Sequence, residues 1–265
     1  MSAAIETLKA ISLQTGIIYG PVRSRRLGVS LGINLLPEDY KVCSLNCLYC
    51  QYSWTPQPSC DVSGALKDLP KPAAVAAAME RALQVIARKR QRLDAVTFSG
   101  NGEPTLHPDF PSIVESARAL RNGFVPRAKL AVLSNSSTTN RAEIRAALSR
   151  VDLKIMKLDA GDEETFHQLN GPAPSLYLKD IVDGLKSLDD VVLQSLFVQG
   201  RVTNADPDSV AAWVETVRQI HPSLVQIYTL DRAPADARIW KVNRPTLEWI
   251  ASQLRWRAGV RAEIY

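Results

Sequence analysis

Short β-rich runs alternate with helical stretches along most of the chain, and this alternation limits the fold more than any other feature. Runs at 27–36, 94–99, 129–134, 151–159, 190–199 and 224–230 read as strands, with a last short strand at 260–264. The segments 72–91, 109–121, 139–149, 207–219 and 245–256 read as helices, and further helices lie within 162–188. Strands separated by helices pair in parallel through right-handed crossovers. About six β/α units fit the 265 residues, whereas a closed eight-unit barrel typically takes about 250 residues. Because 1–26 reads as an irregular N-terminal leader, the expectation is an α/β fold: one domain over 27–265 forming a partial, open parallel β/α barrel. A flat doubly wound sheet is the competing arrangement. In both, functional groups gather on loops after the C-terminal ends of strands.

With 46% apolar and 22% charged residues, the composition excludes disorder, collagen-like repeats and coiled coil. No apolar run is long enough to span a membrane, and the start lacks a basic-then-apolar signal pattern, so a soluble, cytoplasmic protein with no membrane partner is expected. The 32 basic and 27 acidic residues leave a net charge of +5, too mild to argue for nucleic acid by itself.

Three of the four cysteines, Cys43, Cys47 and Cys50, crowd into CSLNCLYC after the first expected strand. In a chain without a secretory signal, such crowding points to a metal rather than to disulfides. Three thiolates at CxxxCxxC spacing suit three irons of a four-iron cluster, leaving one iron open to a small molecule. Zinc is the competing metal, but a structural zinc site wants four ligands, and only Cys60 lies nearby. Cys60 itself reads as a free cysteine.

The CxxxCxxC loop, with Tyr49 at its aromatic position, resembles the cluster motif of the radical S-adenosylmethionine (SAM) superfamily. The segments GPVRSRRLGVSLGINLLPEDYKVCSLNCLYCQY, FSGNGEPTLHPDF and KLDAGDEETFHQLNGP resemble a compact, single-cluster branch of iron–sulfur oxidoreductases related to wyosine synthases, over about residues 19–235. The resemblance implies a [4Fe-4S] cluster on Cys43, Cys47 and Cys50 whose open iron binds SAM. It further implies a reducing partner such as flavodoxin or ferredoxin, and cleavage of SAM to methionine and a 5′-deoxyadenosyl radical that abstracts hydrogen from a substrate. The substrate is left open as a small molecule, a protein or tRNA, and no catalytic side chain is singled out. A non-catalytic iron–sulfur or zinc protein is the alternative from a different class.

Gly100, Asn101, Gly102 and Glu103 follow the strand at 94–99. The glycines permit close backbone approach to a ligand, and Glu103 can accept a hydrogen bond from an ammonium; the resemblance assigns a comparable Gly-Gly-Glu segment to the SAM amino group. Ser134, Asn135 and Ser136 end the next strand as candidates for the SAM ribose or carboxylate, or as caps of the following helix. On 151–159 the period of two sends Leu153, Ile155, Lys157 and Asp159 to one face. Two charges at its end suit an interior site, making Lys157 and Asp159 further candidates for cofactor contact. Gln194, Gln199, Asp231 and Arg232 are strand-end residues open to either a ligand or a loop role. Arg23, Arg25 and Arg26 form a potential anion clamp, Arg88–Arg92 a basic helix end, and His107, His167 and His221 show no metal spacing.

Overall fold

A computed structural model describes residues 11–265. In chain order the elements are β1 (Ile18–Ser24), β2 (Gly28–Ile33), α1 (Pro72–Arg88), β3 (Ala95–Phe98), α2 (Phe110–Phe124), β4 (Lys129–Ser134), α3 (Ala142–Leu148), β5 (Leu153–Lys157), α4 (Glu163–Asn170), α5 (Leu178–Lys186), β6 (Val191–Leu196), β7 (Val198–Gly200), α6 (Pro207–Ile220), β8 (Leu224–Tyr228), β9 (Ile239–Lys241), α7 (Arg244–Ala258) and β10 (Ala262–Ile264). The main sheet runs β1-β2-β3-β4-β5-β6-β8-β10. From β2 onward every pairing in it is parallel. Six β/α units, starting with β2–α1 and ending with β8–α7, therefore build the fold, an α/β partial barrel of mainly parallel strands.

The alternation of side chains along each strand sorts the sheet into two faces. Leu130, Val132, Met156, Leu193, Val225 and Ile227 belong to the main core with the helices. Leu133, Ile155, Lys157, Gln194, Leu196 and Tyr228 face the opposite way and line a cavity. Helices supply matching apolar stripes: α1 buries Val75, Met79, Leu83 and Ile86, at three- and four-residue spacing. Each large side chain so buried is worth about 1.5–3 kcal/mol. Pro72 opens α1, where its missing N–H costs no helical bond. Asp162, Asp206 and Asn243 cap α4, α6 and α7 through their side-chain oxygens.

The sheet curves until its two ends meet through side chains. Arg25 Nη2 lies 2.6 Å from Asp231 Oδ2, beyond β8, and the Arg26 guanidinium stacks on the rings of Tyr228 and Tyr265. No backbone ladder joins β1 to β10 among the described residues, so the barrel is open.

Two expectations are corrected. The irregular leader at 1–26 contains β1, which pairs antiparallel with β2; its Gly20 and Pro21 read as loop, yet proline is tolerated on an edge strand. Residues 1–10 of that leader lie outside the described residues. The single strand expected over 190–199 is two, β6 and β7, and β7 leaves the main sheet to pair with β9. Among the described residues, no helix is long and apolar enough to cross a membrane.

Candidate cofactor site

The cysteine loop follows β2 and is fastened on both sides by main-chain hydrogen bonds. On one side, Val42 N donates to Asn101 O and Glu103 N donates to Val42 O, at 3.1 and 3.0 Å. On the other, Asn46 N reaches Asn170 O, Leu48 N reaches Leu169 O and Ala173 N reaches Ser44 O, all within 3.0 Å. Three segments far apart in sequence thus form one assembly: the cysteine loop, the GNGEP turn and the end of α4.

Cys43, Cys47 and Cys50 line the same cavity of about 400 Å³. Each sulfur receives a hydrogen bond from a different side chain: Asn135 Nδ2 to Cys43 at 3.3 Å, Asn170 Nδ2 to Cys47 at 3.4 Å, and Lys41 Nζ to Cys50 at 3.2 Å. Burial pushes the Cys43 thiol up to about 12 and the Cys47 thiol up to about 11. Sulfurs in such surroundings stay protonated at neutral pH unless a cationic centre binds them. Among the described residues, no three His, Cys, Asp or Glu side chains converge to hold a single metal ion. A cubic cluster makes a different demand, because each cysteine ligates its own iron. The three sulfurs line one cavity and each has a hydrogen-bond donor. Cys60 stays outside the cavity lining, and its carbonyl accepts from Arg141.

Glu103 is 1% exposed and lies on the cavity wall. Its Oε1 accepts from Thr105 N and Thr105 Oγ1, and its Oε2 accepts from Asn135 N. Burial raises its pKa while these donors pull it back. A carboxylate held so firmly keeps acceptor capacity on Oε2 for a ligand ammonium. The glycines beside it serve packing as much as ligand approach. Gly102, at φ +139°, abuts the Val42 carbonyl, and Gly100, at φ +142°, abuts the Asn34 side chain; a Cβ at either would collide. Asn101, expected as a cofactor contact, has its side chain turned to other parts of the chain. Fully buried and absent from the cavity lining, it accepts from Gln14 N and donates to Gln14 O and Pro37 O.

Ser134 and Asn135 line the cavity at the end of β4. They do not cap α3, whose N-cap is Arg141. Asn135 links four residues, because its N–H holds Glu103, its Nδ2 holds Cys43 and Ser44, and its Oδ1 accepts from Ser137 N. Ser136 is buried, with its hydroxyl on Lys157 O.

Lys157 and Tyr49 face the cavity, and Asp159 sits behind them. Asp159, expected as a cofactor contact, lines a smaller neighbouring cavity instead. Its Oδ1 accepts from Leu196 N at 2.8 Å and pairs with Lys157 Nζ at 2.8 Å, while its Oδ2 accepts from Tyr49 OH and from Asn170 Nδ2. Four donors leave it no acceptor to spare in the plane. The Lys157 ammonium is pulled down by burial but lifted past its usual range by Asp159 and Tyr228, so it is charged. Burial, then the Asp159 charge, drives the Tyr49 phenol well above its ordinary value.

Of the secondary candidates, Arg25, Arg26, Gln194, Asp231 and Arg232 reach the cavity. Gln199 lies away from it, bonded to Lys241 O. His107 is a buried staple between Pro70 O and Asp109 N, and Arg88–Arg92 close α1 at the exposed surface. Lys41, Asn170, Tyr19 and Tyr228 were not legible as site residues. Lys41 and Asn170 fall inside the segments that carry the resemblance, but nothing in their spacing marks them as partners of the sulfurs.

The family model for the Radical SAM superfamily matches residues 38–222. A UPF0026 protein of Methanocaldococcus jannaschii is 29% identical over 226 residues, covering 84% of this chain and 66% of that protein. The chain therefore spans just under two thirds of that relative's length. Among solved structures, a radical SAM methyltransferase from Sphaerobacter thermophilus superposes with a TM-score of 0.64 at 14% identity, over 89% of this chain and 65% of the other. The structure of TYW1 with a lysine–pyruvate adduct gives 0.54 at 15% identity, over 86% and 74%. At these identities the structural likeness concerns the fold. The family match takes in the cysteine loop, the GNGEP turn and strands β3 to β6, well over half of the chain, and on that ground the protein belongs to the radical SAM superfamily, a group of iron–sulfur enzymes that act on or through S-adenosylmethionine.

Proposed function

We propose that this chain is a single-cluster oxidoreductase that cleaves SAM reductively and uses the resulting radical on a substrate held in the same cavity. The domain expected over 27–265, joined by β1, carries this activity in a cytoplasmic setting, with a flavodoxin- or ferredoxin-like protein as electron donor. The observation that carries the reading is that Cys43, Cys47 and Cys50 share one cavity with Glu103, Ser134, Asn135 and Lys157. When bound, a reduced [4Fe-4S] cluster supplies the electron that splits the sulfonium bond of SAM into methionine and a 5′-deoxyadenosyl radical, which takes a hydrogen atom from the substrate.

The chain's own residues bind and orient. Cys43, Cys47 and Cys50 hold the cluster, and Asn135, Asn170 and Lys41 donate to their sulfurs, which favours the more negative sulfur. Glu103 accepts from the amino group of SAM. The backbone of Gly100 and Gly102 forms the adjoining wall, and Ser134 and Asn135 present polar groups to the rest of the cofactor. Tyr49 covers the cluster side, held by Asp159, and Lys157 is fixed as a cation by that carboxylate. The apolar wall of Leu133, Ile155 and Leu196 limits water around the reacting atoms.

The tRNA reading has less support. The wyosine synthases that the sequence resembles bring extra N-terminal cysteines for a second cluster, and only Cys60 remains beyond the triad here. The test is anaerobic reconstitution with iron and sulfide, reduction with SAM present, and chromatography for 5′-deoxyadenosine. Formation that requires Cys43, Cys47 and Cys50 upholds the proposal. A colourless protein that binds one zinc and leaves SAM intact overturns it in favour of a metal-binding module.

A further inference from the structure

We propose that Arg26 and Arg232, which line the same cavity as the cysteines, form a subsite for an anionic oxygen group, carboxylate or phosphate; that this group belongs to the substrate rests on the function proposed above. Arg26 comes from the turn between β1 and β2. Its guanidinium lies 4.2 Å from the centre of the Tyr228 ring and 4.8 Å from that of Tyr265. Such stacking offsets part of the charge, but a ring face supplies no in-plane acceptor. Nε and Nη2 of Arg26 are buried and have no hydrogen-bond partner. The nearby carboxylate of Asp231 is engaged by Arg25 at 2.6 Å. Burial pulls the Arg26 pKa down, and Tyr228 and Asp231 only partly oppose it.

The other charges on the cavity wall are answered within the protein. Lys41 donates to Cys50 and to Ser53 O, Lys157 pairs with Asp159, and Glu103 accepts from Thr105 and Asn135. Arg232 also lines the cavity, and among the described residues it has neither an ion pair nor a hydrogen bond. Two guanidinium groups are thus left over among the residues lining one cavity. SAM does not balance them, since it carries a sulfonium and an ammonium against a single carboxylate. A planar guanidinium with free donors is suited to bind a carboxylate or phosphate through paired N–H···O bonds.

The test uses the reconstituted, cluster-loaded protein with SAM present, at fixed ionic strength set by chloride. Inorganic phosphate and acetate are titrated separately by calorimetry. Saturable binding of either probe, at least tenfold weaker in Arg26→Gln and in Arg232→Gln but unchanged in Arg88→Gln, is the expected result; the stronger probe tells a phosphate ester from a carboxylate. Should Arg26→Gln fail to fold, Arg232→Gln, altered at an exposed position, decides alone. The proposal falls if neither probe saturates the wild type, if the cavity variants bind as the wild type does, or if SAM affinity drops in the same proportion as anion affinity. 5′-Deoxyadenosine measured on the same preparations separates the two readings. Its formation without anion binding removes the subsite and keeps the function, whereas anion binding that depends on Arg26 without its formation keeps the anion site and removes the function.

Discussion

The surroundings of the cysteines and those of Arg26 and Arg232, which line the same cavity, differ in how their polar groups are partnered. Around the cysteines each sulfur has a side-chain donor, Glu103 has three protein donors, and Asp159 ties Tyr49, Asn170 and Lys157 together. At Arg26 two buried guanidinium nitrogens have no partner. A network satisfied before any ligand binds is rigid and positions what enters it. Donors left over mark a wall completed by the molecule it binds. The same cavity therefore holds a prepared side and a waiting side.

The sharpest way to break this contrast is to remove a cysteine. Cys43→Ala, Cys47→Ala or Cys50→Ala should each abolish the cluster, read as loss of its visible absorbance and of bound iron and sulfide after reconstitution. A variant that keeps a full complement of iron would remove the prepared side altogether.

Next in size is Asp159→Ala, which strands the Lys157 ammonium beside Tyr49. Removing one partner of a buried ion pair costs about 3–5 kcal/mol, and denaturant unfolding should show a loss of that order. A change within experimental error would mean that Asp159 does not tie the prepared side together. Glu103→Gln keeps the shape and removes the charge. A charge-assisted hydrogen bond is worth about 1.5–3 kcal/mol, so SAM should bind roughly 10- to 100-fold more weakly by equilibrium dialysis, while the cluster still assembles. Unchanged affinity would move the ammonium contact elsewhere.

A smaller effect lies in alkaline stability. Burial raises the Tyr19 phenol from 10.0 to about 12, and Lys157 is lifted above 10.5 despite its burial. Both groups hold their protons more tightly when folded. Their contribution is complete below the unfolded values near pH 10 and is lost as pH rises through the folded ones. Thermal midpoints should fall between pH 10 and 12, and Tyr19→Phe should flatten part of that fall; a wild-type midpoint constant over this range would contradict the assignment. The smallest expected effect is that of Cys60→Ala, which should keep cluster absorbance and SAM cleavage. Loss of the cluster there would bring a fourth sulfur into the prepared side.

Much of this arrangement was legible before any coordinates. The alternation of strands and helices specified the parallel sheet because a crossover helix leaves a strand few other ways to pair. The cysteine spacing placed three sulfurs on one loop, and the period of two put Ile155 and Lys157 on the cavity face. Three features escaped. β1 was hidden by Gly20 and Pro21, which mark a loop unless the strand lies at an edge. Asn101 shares its turn with Glu103, but its side chain points back to the chain at Gln14 and Pro37. Asp159, two residues past the end of β5, lies outside the cavity lining, with its carboxylate taken up by Leu196, Lys157, Tyr49 and Asn170.

What the sequence by itself determined is local: the alternation of most strands and helices, and that three thiols lie within one short loop, all consequences of backbone propensity and spacing. Only the tertiary structure decided which distant side chains answer each charge. Asn135 meets Cys43 across 92 residues, Asn170 meets Cys47 across 123, and Arg26 reaches Tyr228 at the far end of the sheet. Hydrogen bonding and ion pairing act over a few ångströms, so the partners are chosen by how the sheet curves and which loop ends it brings together.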